Sequence, residues 1–277
     1  MTHPNQTSNE DEDLIKKTEG LASKHIFEII RRDGEEELER PNGSLFWSGI
    51  AAGLMISLSV LGEAIFRTYL PDAQWSYLVE NLGYSLGFLV VILGRMQLFT
   101  ENTITTVLPV MHNPVWSMFK RLVILWCIVL LANVIGAFGV ATAFAYGSFI
   151  PVELIPAITE LSEHATGFGA SEGFQRAIPA GILVAAIVWM LPESDGFGFF
   201  VILVFTWLIA AGDFTHIVAG SVEMAFLMVQ GMLPFSDALF GFFLPVLAGN
   251  ILGGTVIFAL LAFGQVRREL PEGARKK

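Results

Sequence analysis

Two short motifs place ionisable side chains inside long apolar segments. "LFTEN", residues 98–102, contains Glu101, and "DFTHI", residues 213–217, repeats the Phe-Thr pair and contains His216. An imidazole changes its charge near neutral pH, and a nearby carboxylate favours its charged form. Together the motifs predict a polar site that presents a switchable charge to a passing ion.

Other ionisable residues lie in or beside the apolar segments. An ionised side chain at a helix centre costs roughly 2.5–3.5 kcal/mol in a bilayer, so such residues need partners or an aqueous path. Glu63 and Arg67 are four residues apart, and this spacing predicts an ion pair on one helix. Arg95 precedes the first motif and is expected to pair with Glu101 or Asp213, or else to contact the substrate. Asp213 is expected to cap the helix that follows it.

The composition is that of an integral membrane protein. The chain has 277 residues, of which 53% are hydrophobic and 15% charged. A formal charge of −10 argues against a nucleic-acid partner, and the lone Cys127 excludes an intramolecular disulfide. No nucleophile motif or metal-ligand spacing is present, so we expect neither an enzyme nor a cofactor.

Six apolar segments predict an all-α membrane protein with six transmembrane helices. They lie at about residues 45–66, 78–111, 122–147, 173–191, 197–230 and 238–264. The second and fifth, about 34 residues each, are too long for one straight span and too short for two spans with a turn. We therefore expect both to be broken near mid-membrane by loops, where irregular backbone must be buried in protein or line a water-filled cavity.

The two halves of the chain resemble each other in order. "SGIAAGLMI" at 48–56 is similar to "RAIPAGILV" at 176–184, "LFTEN" to "DFTHI", and "ANVIGA" at 132–137 to "GNILGG" at 249–254. Three spans per half place the second half in the membrane inverted, which predicts a 3+3 inverted repeat. Asn133 and Asn250 hold matching places and are expected to bond the loops, the histidine or a neighbouring helix.

The polar ends of the chain indicate its orientation. Residues 1–43 form a tail with an apolar stripe at Ile26, Phe27, Ile29 and Ile30, residues 44–265 form the pore domain, and residues 266–277 form a basic tail. The stripe predicts a solvated or surface-lying amphipathic helix, or a gate over a pore. With an even number of spans, 13 of the 16 Lys and Arg residues share one face, which predicts that both termini are cytoplasmic. These 13 are Lys16, Lys17, Lys24, Arg31, Arg32, Arg40, Lys120, Arg121, Arg267, Arg268, Arg275, Lys276 and Lys277.

Three motifs resemble those of a known family. Residues from about 44 to 265 are similar to the formate/nitrite transporter family through "GRMQLFTEN", "GDFTHIVAG" and "LPVLAGNILGG", and most like its YfdC-type branch of bacterial inner-membrane proteins. The resemblance implies an aquaporin-like protomer with its own pore in the lipid bilayer of the inner membrane. It also implies a homopentamer that conducts small monovalent anions such as formate, nitrite or hydrosulfide.

The resemblance also assigns residues to the pore. It implies that His216 is the family's central histidine, Thr100 the threonine of the first loop and Asn250 the asparagine near the histidine. Phe99 and Phe214 correspond to apolar rings beside the pore. Three positions depart from the family pattern: the outer-vestibule lysine is missing and leaves Arg176 as the nearby cation, "PAG" at 179–181 replaces a Cys-Asn pair, and Glu101 replaces a neutral residue.

Three functional hypotheses follow from these residues. The first is the family's usual pore, with His216 controlling proton-linked passage of small anions. The second keeps the fold but favours a small cation or a neutral species such as ammonium/ammonia, because Glu101 repels anions and the vestibule lysine is missing. The third is a membrane enzyme or sensor that uses His216, Asp213 and Thr215, although sequence neighbours do not form a catalytic relay.

Overall fold

The computed structural model describes residues 20–270, and over that range the chain is all-helical, with no strand. Five helical stretches are long and apolar enough to cross a membrane, which confirms the membrane fold class. They are Asn42–Tyr69, Ser76–Leu93, Trp116–Tyr146, Ala170–Glu193 and Asp237–Val266. The fifth apolar segment of the sequence appears instead as two shorter helices, because a loop divides it near its middle.

The α-helices of the described range are numbered in chain order. In the first half they are α1 (Ser23–Glu39), α2 (Asn42–Met55), α3 (Ser57–Tyr69), α4 (Ser76–Glu80), α5 (Ser85–Leu93), α6 (Phe99–Thr105), α7 (Val107–His112) and α8 (Trp116–Tyr146). In the second half they are α9 (Ile155–Thr166), α10 (Ala170–Met190), α11 (Gly198–Ala211), α12 (Ile217–Val229), α13 (Leu244–Ile251) and α14 (Leu260–Val266). Short 3₁₀ turns precede α9 and follow α10, and π-helical stretches at Asp237–Phe243 and Leu252–Ala259 flank α13.

Both predicted breaks are present and share one turn geometry. A residue of positive φ lies two positions after the end of α5 and of α11: Arg95 at 50° and Asp213 at 57°. The next residue, Met96 or Phe214, donates its N–H to a carbonyl five residues back, at 3.0 and 2.9 Å respectively. This turn satisfies carbonyl groups at the helix end, so each chain segment can leave its helix inside the protein.

Glycines bring the first and third long helices of each half into close contact. A Cβ on Gly53 would overlap the backbone of Asn133, and a Cβ on Gly181 would overlap the backbone of Asn250. The same type of contact therefore occurs in both halves, and a glycine is what lets the two helices approach so closely.

The N-terminal helix α1 packs on the membrane helices instead of lying free in solvent. Ile26, Phe27 and Ile30 are buried, and the Phe27 ring lies 5.8 Å from that of Phe263 on α14. The stripe is thus apolar because it contacts α7, α10 and α14. On its polar side, hydrogen bonds from Arg31 and Arg32 hold the pKa of Glu28 at about 2, so this cluster remains ionised at mildly acidic pH.

One segment outside the predicted spans is also helical, and parts of the tails lie outside the described residues. The segment 149–175, between the third and fourth predicted spans, contains α9, whose Ala157, Ile158 and Leu161 are buried. A helical spacing of apolar residues was therefore present in a segment that looked polar. Parts of the two tails lie outside the described residues, including Lys16, Lys17, Arg275, Lys276 and Lys277.

Candidate functional site

Thr100 and His216 meet where the two breaks face each other. Thr100 Oγ1 lies 2.8 Å from His216 Nε2, and both residues are buried. His216 Nδ1 accepts a hydrogen bond from the Ala219 backbone N–H at 3.3 Å, so the imidazole caps α12. Because Nδ1 accepts, the neutral ring carries its proton on Nε2 and donates it to the Thr100 hydroxyl. The predicted cap of α12 by Asp213 is wrong, since the histidine occupies that place.

Asn133 holds the first break in position. Its Oδ1 accepts from the Phe99 N–H at 3.0 Å, and its Nδ2 donates to the carbonyls of Gly49 and Gln97, each at 2.8 Å. These bonds tie the break to the first and third long helices of its own half.

Asn250 makes the equivalent set of bonds to the second break. Its Oδ1 accepts from the Ile217 N–H at 2.8 Å, and its Nδ2 donates to the carbonyls of Ala177 at 2.8 Å and Thr215 at 3.0 Å. Of the partners the sequence allowed for the two asparagines, the backbone of the loop and of a neighbouring helix are the ones found.

These bonds define which residues correspond between the halves. The Phe99 N–H bonds Asn133 as the Ile217 N–H bonds Asn250, so Phe99 corresponds to Ile217 and Leu98 to His216. Glu101 lies three residues after Leu98. The alignment of the two Phe-Thr pairs in the sequence is therefore out of register by three residues. Only the second half has an ionisable residue, His216, at the N-cap position of its half-helix; the first half has Leu98 there and Glu101 within the first turn.

A cavity of about 360 Å³ lies on one side of the Thr100–His216 contact, away from α1, and is called the far-side cavity here. His216, Thr215 and Phe214 border it, together with helices α3, α4, α9 and α12. Five carboxyl groups line it against one arginine, Arg67. The acids are Glu63, Glu80, Glu160, Asp213 and Glu223.

A second cavity, of about 290 Å³, lies beneath α1 and is called the tail-side cavity. Its ionisable lining also favours acids, with Arg95 as its cation. The acids are Asp33, Glu36, Glu37 and Glu101. Gln97 connects the helix to the break: its Nε2 donates to Glu37 Oε2 at 2.7 Å, and its Oε1 accepts from Asn102 Nδ2 at 3.0 Å.

The ion pairs differ from those the sequence predicted. Arg67 does not pair with Glu63; its Nη2 lies 2.7 Å from Glu80 Oε1, because α4 approaches α3 from the side. Arg95 pairs with neither predicted partner, since Asp213 borders the other cavity and Glu101 makes no ion pair within the described residues.

Asp213 is instead the centre of a charged cluster on the far side. Arg176 Nη1 lies 2.9 Å from Asp213 Oδ2, and His164 Nε2 lies 2.8 Å from Asp213 Oδ1. The Arg176 guanidinium also lies 4.3 Å from the centre of the Phe168 ring. Glu172 Oε1 lies 2.8 Å from Arg176 Nη2 as well, so Arg176 is held by two carboxylates and a ring, and its charge is balanced.

The aromatic residues near the centre are placed unequally. Phe214 borders the far-side cavity, whereas the Phe99 ring packs edge-on against Trp126 at 5.6 Å and borders neither cavity. The ring next to the histidine is Phe88, at 5.0 Å from His216 and fully buried. Phe88 could not be singled out from the sequence, because it lies in a uniformly apolar stretch. The sequence analysis also did not identify Glu223 as a site residue, although an acid within the apolar run 217–229 indicated a functional position.

Sequence comparison supports the resemblance drawn from the motifs. The family model described as "Formate/nitrite transporter" matches residues 24–264. The chain is 47% identical over 245 residues to "Inner membrane protein YfdC" of Escherichia coli (strain K12), covering 88% of this chain and 79% of that protein. It is 27% identical over 240 residues to "Formate channel FocA" of Haemophilus influenzae, covering 76% and 82%.

Solved structures share the fold. An "FNT family ion channel" superimposes with a TM-score of 0.73 at 20% identity, covering 90% of this chain and 98% of that one. A "Pentameric formate channel with formate bound" gives 0.67 at 20% identity, covering 82% and 98%. With the model match over most of its length, the chain belongs to the formate/nitrite transporter family.

Proposed function

We propose that the chain forms a transmembrane pore for small monovalent anions of the formate/nitrite class, in which His216 controls proton-linked passage. One observation carries this proposal: the buried Thr100–His216 contact joins the two breaks, with His216 bordering the far-side cavity and Leu98 and Glu101, close to Thr100 in the chain, bordering the tail-side cavity. We expect a small ion that moves from one cavity to the other to meet this hydroxyl and this imidazole. The names of the relatives, a formate channel among them, support the substrate class.

Each protomer has an aquaporin-like pore of six spans arranged as a 3+3 inverted repeat. The matching bonds of Asn133 and Asn250, the paired positive-φ turns and the paired glycine contacts support this arrangement. Helices α11 and α12 together make the fifth span, and the break between them explains why neither is long enough alone.

The protomers assemble as a homopentamer in the inner membrane with both termini in the cytoplasm. The pentameric formate channel of the same fold and the inner-membrane relative support assembly and location. The clustering of Lys and Arg near the chain ends and in the first turns of α8 supports the orientation. The tail-side cavity then opens toward the cytoplasm.

The acid linings bear on the form in which the substrate crosses. Carboxyl groups outnumber arginines in both cavities, so a bare anion is repelled as it approaches. The Phe88 ring beside His216 makes the central passage apolar, and a neutral acid crosses such a passage far more easily than its anion. We therefore expect the anion and a proton to cross together.

The same linings favour a second candidate function. Carboxylate-lined cavities attract cations, so the fold with altered selectivity for a small cation or a neutral species such as ammonium/ammonia is the alternative. Glu101 in the tail-side cavity and the balanced charge of Arg176 are its supporting residues.

Flux measurements on proteoliposomes separate the two. The purified protein is tested with formate, nitrite, hydrosulfide and ammonium at about pH 5 and about pH 7, near either side of the imidazole's usual titration. We expect monovalent anion flux that His216→Phe strongly reduces. Ammonium flux without anion flux would establish the alternative, and the absence of both would overturn the transport proposal.

A further inference from the structure

Two buried acids face the far-side cavity beside His216. Glu63 on α3 and Glu223 on α12 have relative exposures of 6% and 7%, and both border the cavity. Over residues 20–270, neither carboxyl group makes a hydrogen bond or an ion pair with protein. Burying an ionised carboxyl group without a partner is costly, so this site requires a positive charge from outside the chain.

The cation of this cavity is already engaged. Arg67 Nε and Nη2 lie 2.8 and 2.7 Å from Glu80 Oε1, and its Nη1 lies 3.8 Å from Glu160. Its guanidinium therefore serves the two outer acids, and Glu63, one turn away on the same helix, is left without it.

The remaining titratable groups around the cavity are also occupied or neutral. Asp213 is held by Arg176 and His164 at 2.9 and 2.8 Å. Tyr77 donates its hydroxyl to the Ala211 carbonyl at 3.2 Å, and Tyr84 is a buried phenol beside Phe88. None of these groups supplies a positive charge to the two buried acids.

His216 has no ring nitrogen free for the substrate. Its Nε2 is engaged by Thr100 and its Nδ1 by the Ala219 N–H. To give a proton to an anion, the ring must first break its contact with Thr100. The far-side cavity therefore needs another proton donor if anion and proton cross together.

Building on the proposed function, we propose that Glu63 and Glu223 form a proton-loading pair that supplies the proton accompanying each anion. Glu63 and Glu223 lie on packed helices and border one cavity, and each carboxylate there disfavours a second negative charge, so the pair binds a proton. One carboxyl O–H bond breaks as an O–H bond forms on the anion. The carboxylate left behind regains a proton from the far-side solution, and no electrons are transferred.

The test follows substrate and proton together. Full-length protein in proteoliposomes is given formate between about pH 5 and pH 8, and uptake and internal pH are recorded at once. The variants are Glu63→Gln, Glu223→Gln and the double replacement. The matched control is Glu160→Gln, which removes a charge from the same cavity, but at a side chain that is 67% exposed and 3.8 Å from Arg67.

We expect the double variant to lose proton-coupled formate uptake by at least about tenfold near neutral pH, since a positioned proton donor typically contributes roughly 10²–10⁴-fold. Glu160→Gln changes the rate but keeps the pH profile. Gel filtration is used to check that each variant assembles as the natural protein does. A double variant with the natural pH profile would overturn the proton-loading pair.

A second measurement does not depend on transport. Infrared difference spectra of the substrate-free protein over the same pH range report the carbonyl stretch of protonated carboxyl groups. We expect a band that the double variant lacks and Glu160→Gln retains. If the natural protein carries no formate, the proposed function fails, while the presence or loss of this band still decides whether the pair holds a proton.

Discussion

Thr100 and His216 join the two broken helices through a buried contact of 2.8 Å between Oγ1 and Nε2. They come from different halves of the chain, and each lies within two residues of a backbone N–H held by an asparagine. The contact therefore fixes how the two breaks sit against each other at the centre of the proposed pore.

Thr100→Val tests this contact, because valine keeps the volume and removes the hydroxyl. We expect formate flux in proteoliposomes to fall at least about fivefold, since a buried polar group that loses its partner costs roughly 1–3 kcal/mol. The control is Thr142→Val, whose exposed hydroxyl bonds only the Phe138 carbonyl of its own helix. Equal flux in the two variants would show that the hydroxyl does not shape the passage.

Asn133→Leu and Asn250→Leu test the anchoring of the breaks. Each replacement leaves one N–H and two carbonyl groups without their partner, and we expect a loss of roughly 2–4 kcal/mol in the free energy of unfolding. Thermal melting of the purified protein in detergent measures the effect, with Gln175→Leu at an exposed site as the control. A large loss of stability for the replacement of only one asparagine would contradict the equivalence of the halves.

Gly53→Ala and Gly181→Ala test the close approach of the long helices. The added methyl group overlaps backbone in both cases, so we expect a cost of about 1–3 kcal/mol for each, seen as a lower melting temperature. Gly264→Ala is the matched control, because no atom lies within 4 Å of its added Cβ. If all three variants melted alike, the packing at the first two sites would be looser than described.

Arg176→Gln tests the balance of charge at the far side. Removing this cation leaves Asp213 with only His164 as a partner, so the cavity becomes more negative. We expect slower formate uptake at low salt and a smaller difference at high salt, because salt screens the repulsion. Arg32→Gln, on the exposed side of α1, should leave uptake unchanged at both salt concentrations.

Phe27→Ala tests the docking of α1. The ring is fully buried against the membrane helices, and deleting a buried aromatic side chain costs about 3–5 kcal/mol. We expect faster hydrogen exchange over residues 23–39, measured by mass spectrometry. Ile29→Ala, at a position 38% exposed, provides the comparison, and equal exchange in the two variants would indicate that Phe27 does not hold the helix.

Much of the fold follows from sequence periodicity and length. The 34-residue apolar runs predicted the two breaks, because neither one span nor two fits that length, and the repeated segments 48–56 and 176–184 contain Gly53 and Gly181, which make equivalent contacts. The matching asparagines were visible for the same reason. The order of residues along the chain was enough to find these features, because each of them involves residues of a single half.

The charged contacts could not be predicted from spacing. Arg67 has acids four residues before it and thirteen after it, and only the turn between α3 and α4 decides that Glu80 is its partner. Likewise, the short repeat of Phe-Thr suggested that Glu101 corresponds to His216, whereas backbone bonds to the asparagines place Leu98 there. Such choices depend on how helices meet in three dimensions, which the order of residues does not specify.

The two asparagine anchors bear on how the protein is made. Every hydrogen-bonding partner of the Asn133 side chain lies between residues 49 and 99, and every partner of the Asn250 side chain lies between residues 177 and 217. The bonds of Asn133 to the first break can therefore form once α8 has left the ribosome, before the second half exists. Each half contains the asparagine that closes its own loop, so membrane insertion can proceed in two steps, with the Thr100–His216 contact forming only after the second half is in place.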